Sequence, residues 1–402
     1  MKLDRKKMLL MWTILIIALV QMPALALPPA INLIQSQVFP EHTLAEVQTA
    51  LAWTNLVSPV MSIIVAYFIN RGIFTKKGVV VVGLLLLSLT GVLAIFYHEE
   101  FWSLSLLSVV LGMATGCFMT NAFGLLFDNF DDRERQLIAG YQTSCINLGG
   151  ISMGLLGGVL ATAIWYGGYL ILLIGLPIAI LAFFTVPNYT SPSARFSGEN
   201  TEKSRLNPRI FYYAVLTLVF MMIYGVGGAN ISPHIKQSIP NVNDAAMAGV
   251  AVAIQMGGGV VSGFFFGKLS EKLKDMILPV ACATVFVGFM LISFFASSLV
   301  LVFIGIFIAG MSLSLMLPRC IFAVSTLVDK STSATATVII SSVAPSFGGL
   351  LSPQVFTRLE SAFFGDATIT RYIVAACTAL VLALVITVLT LSRGKKENTA
   401  RA

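Results

Sequence analysis

Gly78-Val79-Val80-Val81-Val82-Gly83-Leu84-Leu85-Leu86-Leu87-Ser88-Leu89-Thr90-Gly91-Val92-Leu93-Ala94-Ile95-Phe96-Tyr97 runs for twenty residues without one charge. As a helix rising about 1.5 Å per residue it reaches about 30 Å, the thickness of a bilayer's hydrocarbon core. A strand of a membrane barrel would alternate polar and apolar residues over about ten positions, which the unbroken run from Val79 to Leu87 excludes. Comparable stretches lie near 8–30, 47–69, 101–127, 137–160, 166–186, 209–231, 245–267, 276–297, 299–326, 335–357 and 371–392. With 78–97 they make twelve expected spanning helices joined mainly by short loops. The expected class is an all-α integral membrane protein.

Composition agrees. Of 402 residues, 57% are apolar and 11% charged, too few polar side chains to cover the outside of a soluble globule. The net charge is +7, but the basic residues are scattered between apolar blocks rather than gathered on one face, so no nucleic-acid partner is expected. The five cysteines (Cys117, Cys145, Cys282, Cys320, Cys377) fall in apolar segments without close pairing, so they read as packing residues, with no disulfide framework, metal site or cofactor.

Lys2, Arg5, Lys6 and Lys7 precede the first apolar run, and Ala24-Leu25-Ala26 resembles a signal-peptidase site. The run nevertheless continues through Pro28-Pro29 to Ala30, and the segment is expected to be retained as a span. Lys and Arg are enriched in cytoplasmic loops. With both termini inside, twenty-one of them lie on the inner side against Lys236, Arg358 and Arg371 outside, leaving Arg319 within a span. A multi-pass protein of the cytoplasmic membrane with both termini cytoplasmic is the expected arrangement.

The polar stretch 187–208 divides the chain into an N-terminal bundle of six helices, 1–186, and a C-terminal one, 209–402. The halves align with each other. Gly112-Met113 recurs as Gly310-Met311 and Asp131 as Asp329, both at an offset of 198. Gly149-Gly150 recurs as Gly348-Gly349 at 199, and Ala66-Tyr67-Phe68-Ile69-Asn70-Arg71 meets Gly267-Lys268-Leu269-Ser270-Glu271-Lys272 at 201. A near-constant offset across several elements marks an internal repeat, and six helices per repeat give both halves the same orientation.

Parallel six-helix halves are the plan of a large transporter class, and the chain resembles the major facilitator superfamily over essentially its whole length. Gly267-Lys268-Leu269-Ser270-Glu271-Lys272 is similar to the superfamily's loop signature after helix eight, although Lys274 replaces its later glycine. The loop after helix two is degraded, with Asn70 where an Asp is expected, followed by Arg71. Arg133-Glu134-Arg135 leading into helix five is similar to the loop after helix four. The resemblance implies two pseudo-symmetric six-helix bundles, a solute site near the midplane between them, and alternating access by rocking. It also implies a gating or inner latch drawn from Asn70, Arg71, Asp131, Arg133, Arg135, Gly267, Glu271, Lys272 and Asp329; the plainer reading makes the charged ones ordinary positive-inside determinants. The glycines of helix five (Gly149, Gly150, Gly154, Gly157, Gly158) read best as close-packing positions.

All eighteen acids fall in tails, loops or helix ends of these segments, and His42, His98 and His234 in outer loops. No carboxylate is evident at depth, which counts against a simple carboxylate proton relay and leaves Asp128, at the inner end of helix four, as the acid through which coupling could run. Arg319, about 10 Å inside the tenth segment, is the one charge at depth; an anionic substrate is a candidate counter-ion, and a structural arginine bonding helix-end carbonyls after Pro318 is the plainer alternative. Gln21, Asn32, Asn55, Asn121, Gln142, Asn147, Tyr224, Asn230, Gln255 and Ser346 complete the candidate substrate contacts, with bonds between helices as the plainer alternative for each.

No nucleotide motif or arrangement of nucleophile, histidine and acid points to an enzyme, and the tails are too short for a sensor's output domain. The expected function is secondary active transport of a small organic solute, an organic anion or polar metabolite, with protons or a counter-ion as coupling partners. A proton-coupled drug or sugar efflux antiporter is the alternative. A monomer in the lipid bilayer suffices for such an architecture.

Overall fold

The computed structural model describes residues 4–130, 132–188, 209–325 and 339–401, and those residues form helices without a strand. Among the described residues the long helices are α1 (Arg5–Leu19, continued after a break by Pro23–Val38), α2 (Leu44–Asn70), α3 (Lys76–Phe96), α4 (Phe101–Asn129), α5 (Asp132–Ala161), α6 (Gly167–Thr185), α7 (Arg209–Ser238), α8 (Asp244–Leu273), α9 (Ile277–Phe294), α10 (Leu299–Val324), α11 (Ile339–Phe364) and α12 (Thr368–Arg401), an arrangement consistent with twelve spans. Ten stretches have the length and apolarity to cross a bilayer outright, and the two parts of α1, bent by 42°, make an eleventh. One of the ten, Asp244–Phe294, has 51 residues, roughly 76 Å at helical rise and more than twice a hydrocarbon core. It turns at Lys274, whose φ is 49°, and a 3-10 turn over Lys274–Met276 separates α8 from α9.

Local chemistry explains the ends. Thr43 and Glu46 form a reciprocal cap on α2: the Glu46 amide donates to Thr43 Oγ1 (3.3 Å) and the Thr43 amide to Glu46 Oε2 (2.9 Å). Thr75 Oγ1 accepts from the Gly78 amide (3.1 Å) to start α3, after a turn in which Gly72 takes φ 73°. The break in α1 follows from Pro23, Pro28 and Pro29, which remove backbone donors. Three segments differ from the sequence expectation in a way that matters. α7 runs on to Ser238, α11 reaches Phe364 and α12 starts at Thr368. The polar residues there look like loop in sequence, but their neighbours' apolar surface carries the helices on.

The chain forms two compact units, Met1–Glu202 with Ala245–Val250 and Lys203–Asp244 with Ala251–Ala402. In the first, Leu84, Leu87, Leu107, Leu111, Phe118 and Leu172 belong to a continuous buried core. α1 and α5 run side by side in the same direction: a Cβ on Gly149 would fall on the Leu19 carbonyl, one on Gly157 on that of Ala26, and Lys7 Nζ reaches Glu134 Oε2 (3.3 Å). In the second unit the same contact recurs, because a Cβ on Gly348 of α11 would lie 2.5 Å from the Leu218 carbonyl of α7. Leu19 and Leu218 are 199 residues apart, the offset that separates Gly149 from Gly348. A second pair follows the rule. Gly112 of α4 packs on Thr54 and Val57 of α2, and Gly310 of α10 packs on the Gln255 backbone of α8, where Gln255 lies 201 residues after Thr54. The repeat in sequence is thus a repeat of packing contacts inside each unit.

Candidate functional site

Among the buried polar side chains of the first unit, Gln21 and Gln142 stand out because neither end of the carboxamide is bonded. Gln21 sits where α1 breaks, its backbone N–H donating to the Ala18 carbonyl (3.2 Å), and its side chain is buried. Gln142, on α5, is wholly buried. Neither carboxamide finds a hydrogen-bond partner among the described residues, at oxygen or at nitrogen. Burying an unsatisfied amide costs about 1–3 kcal/mol, so each is a standing demand for a polar ligand or solvent. They occupy different levels. The contact of Leu19 with Gly149 sets Gln21 beside residue 151, about nine residues or roughly 13 Å along α5 from Gln142.

The other first-unit candidates differ in environment. Asn32 is buried and its carbonyl accepts from Ser36 Oγ (2.7 Å). Asn121 spends its amide on the Cys117 carbonyl one turn back (2.7 Å), Asn147 is half-buried and Asn55 is exposed. The structure therefore brings no single cluster out of these side chains.

In the second unit α7 and α8 form a compact polar patch. The Gln255 side chain lies against the bare backbone of α7: a Cβ on Gly227 would come within 3.3 Å of Gln255 Nε2, and one on Gly228 within 3.9 Å of Gln255 Oε1. The Tyr224 hydroxyl lies buried beside the Gln255 amide but outside hydrogen-bond geometry with it. Ser346 on α11 is half-buried.

Arg319 is not the unpaired charge the sequence suggested. Its Nη2 and Nε donate to Asp275 Oδ1 (2.7 and 3.2 Å), Nη1 reaches Ser270 Oγ (3.5 Å), and the guanidinium stands over the Phe322 ring at 5.3 Å. The premise of an absent carboxylate fails because Asp275, in the turn after α8, folds back onto α10. Asn230, expected as a substrate contact, bonds within the fold: its amide donates to the Val226 carbonyl (3.2 Å) and its oxygen accepts from Arg371 Nη1 (3.4 Å).

The expected lack of buried acids is corrected as well. Glu360 near the end of α11 and Arg371 near the start of α12 are 3% and 1% exposed and form an ion pair, Nε to Oε2, at 3.1 Å. Asp366, in the short turn between these helices, accepts from Arg371 Nη2 at 2.7 Å, and Ser361 Oγ accepts from the same nitrogen at 2.9 Å. His234 is no loop residue. It is buried in α7, with Nδ1 3.0 Å from Thr368 Oγ1 and its ring 5.2 Å from that of Tyr372. Opposite charges flanking a three-residue turn were the available signal; ending the eleventh span at 357 hid it.

Of the latch candidates, Arg71 is exposed and stacks on the Tyr67 ring at 4.5 Å. Glu271 and Lys272 are exposed in the last turn of α8 and make no ion pair among the described residues, and a Cβ on Gly267 would meet nothing within 4 Å. Asp131 and Asp329 lie outside the described residues, as do the side chains of Asn70, Arg133 and Arg135 and of the coupling candidate Asp128.

A family model described as the Major Facilitator Superfamily matches residues 8–353, most of the chain. The chain belongs to that superfamily. Solved structures share its fold. A point variant of the nucleoside transporter NupG is 12% identical with a TM-score of 0.75, over 94% of this chain and 99% of that one. A bacterial homologue of the human lysosomal transporter Spinster, inward-facing and unoccupied, is 16% identical with a TM-score of 0.70, over 96% of each chain. A POT family transporter in complex with a thioalcohol-conjugated peptide is 12% identical with a TM-score of 0.72, over 95% and 96%. No curated protein matches the chain. As a major facilitator the protein is a multi-pass secondary transporter of small solutes and not an enzyme.

Proposed function

We propose that this major facilitator carries a small polar metabolite that is recognised through carboxamide and hydroxyl groups rather than through a fixed charge. It works by alternating access of two six-helix halves, 1–186 and 209–402, in a cytoplasmic membrane with both termini inside. The observation that carries the reading is that the first unit buries the unpartnered amides of Gln21 and Gln142; the second unit, taken by itself, buries the unpartnered Tyr224 hydroxyl beside Gln255. A folded chain keeps such groups dry only at a cost, and a solute with hydroxyl, amide or ring-nitrogen groups would offset it. The organic-anion form of the reading rested on Arg319, whose guanidinium is engaged by Asp275.

Asn32, Asn55, Asn121, Asn147 and Ser346 are assigned a secondary place, as lining rather than anchoring groups. The positive-inside bias supports the orientation, and Glu271, Lys272 and Arg71, exposed at helix ends, suit a latch on the inner side.

The test is a thermal-shift screen of detergent-purified protein against nucleosides, sugars, amino acids, small carboxylates and amphiphilic cations, run beside Gln21→Leu and Arg319→Gln. A ligand bound only by the folded state raises apparent stability. Stabilisation by a neutral polar solute that disappears in Gln21→Leu and persists in Arg319→Gln supports the reading. Stabilisation by carboxylates that needs Arg319 overturns it.

A further inference from the structure

We propose that Glu360 is a proton-binding site of the second unit, reached from the turn between α11 and α12, with Asp366 holding Arg371 in place while the glutamate is neutral. Arg371 does not lose its proton in a protein, and two carboxylates, Glu360 and Asp366, bond to it. With all three ionised the cluster carries one negative charge more than it neutralises. Asp366 carries its own charge at the surface, but it shares the Arg371 guanidinium with the buried Glu360, and one proton on Glu360 relieves that competition.

The geometry makes room for that proton. Glu360 Oε2 is spent on Arg371 Nε, whereas Oε1 is buried and has no partner among the described residues. A proton delivered by hydronium forms an O–H bond at Oε1 as one hydronium O–H bond breaks and water is released, and the Nε–Oε2 hydrogen bond to Arg371 can stay. Arg371 keeps Asp366 at 2.7 Å, Ser361 at 2.9 Å and Asn230 at 3.4 Å, so neutralising Glu360 strands no guanidinium. An ordinary two-residue buried ion pair lacks this property, since protonating its acid leaves an orphaned cation.

Access to water is short. The Asp366 side chain is 84% exposed while it touches Arg371, and Ser361 Oγ donates to Asp366 Oδ1 at 2.8 Å. In the orientation proposed above this turn faces outside.

The groups around Glu360 are few. The charges acting on it are Arg371 from α12 and Asp366 from the turn. Arg358, on its own helix, is exposed. From α7, His234 packs on Tyr372 and Thr368 of α12, and its Nε2 also lacks a partner among the described residues, which makes His234 the rival site of proton uptake. Tyr372 Oη donates to the Gly227 carbonyl at 3.2 Å.

The test is infrared difference spectroscopy of the full-length protein in lipid, recorded on acidification, with carbon-13 placed in either the glutamate or the aspartate carboxyls. The expected result is a protonated-carboxyl band of a buried acid that moves with the glutamate label alone. It disappears in Glu360→Gln and persists in Asp366→Asn and His234→Gln. A band that moves with the aspartate label, one that survives Glu360→Gln, or no such band over the range in which the protein stays folded overturns the proposal. The labelled wild type decides even if Glu360→Gln does not fold.

Discussion

Gly149 and Gly348 occupy equivalent places in the two units, and replacing either with alanine should separate two helices that now touch backbone to side. At Gly348 the added carbon would start 2.5 Å from the Leu218 carbonyl, against a contact floor near 3.0 Å, so α7 and α11 must part by at least about 0.5 Å. At Gly149 the overlap with Leu19 is worse. A gap of roughly 0.5–1 Å forfeits a quarter to a half of each dispersion contact along the seam, and overpacking of this kind costs about 1–3 kcal/mol. Alanine returns about 1 kcal/mol because it is the better helix former. Gly257 and Gly267 supply the control, since a Cβ at either meets nothing within 4 Å and only the gain remains. Equilibrium unfolding in mixed micelles should therefore place Gly149→Ala and Gly348→Ala about 1–3 kcal/mol below Gly267→Ala. If all of these variants unfold within about 0.5 kcal/mol of one another, the close approach of α1 to α5 and of α7 to α11 is not what these glycines serve.

Gln21→Leu and Gln142→Leu should each raise the unfolding free energy, by about 1 kcal/mol, because an unsatisfied buried amide is removed; transport should fall in the same proteins, and a variant that is destabilised yet fully active contradicts the assignment. Arg319→Gln breaks an ion pair whose carboxylate is about half exposed. It should cost no more than about 1 kcal/mol and leave the solute's half-saturation concentration unchanged in uptake assays. Arg371→Leu should be harsher than Glu360→Gln in the same unfolding assay, since it removes the bonds to Glu360, Asp366, Ser361 and Asn230 together, whereas Glu360→Gln leaves the last three in place.

Much of the fold is legible in the sequence because the bilayer imposes one rule, about twenty apolar residues per crossing, which ten stretches of the described residues meet outright and the bent α1 makes an eleventh. The repeat is legible too, since Gly112 and Gly310, or Gly149 and Gly348, are needed wherever one helix backbone rests on another. What fails is the handling of helix ends. Polar residues such as His234, Glu360 and Arg371 read as loop, yet apolar neighbours carry α7, α11 and α12 past them and draw them into the interior. Arg319 misleads for the complementary reason: Asp275 lies 44 residues away, on a turn whose fold-back depends on the left-handed backbone at Lys274. The buried glutamines were visible as candidates, but their lack of partners is a property of packing that no spacing reveals.

The most direct test of the account is solute counterflow in proteoliposomes loaded with neutral polar solutes or with small carboxylates. The account predicts saturable, trans-stimulated exchange of a neutral polar solute that is lost in Gln21→Leu and retained in Arg319→Gln. Exchange confined to carboxylates and abolished by Arg319→Gln would contradict it.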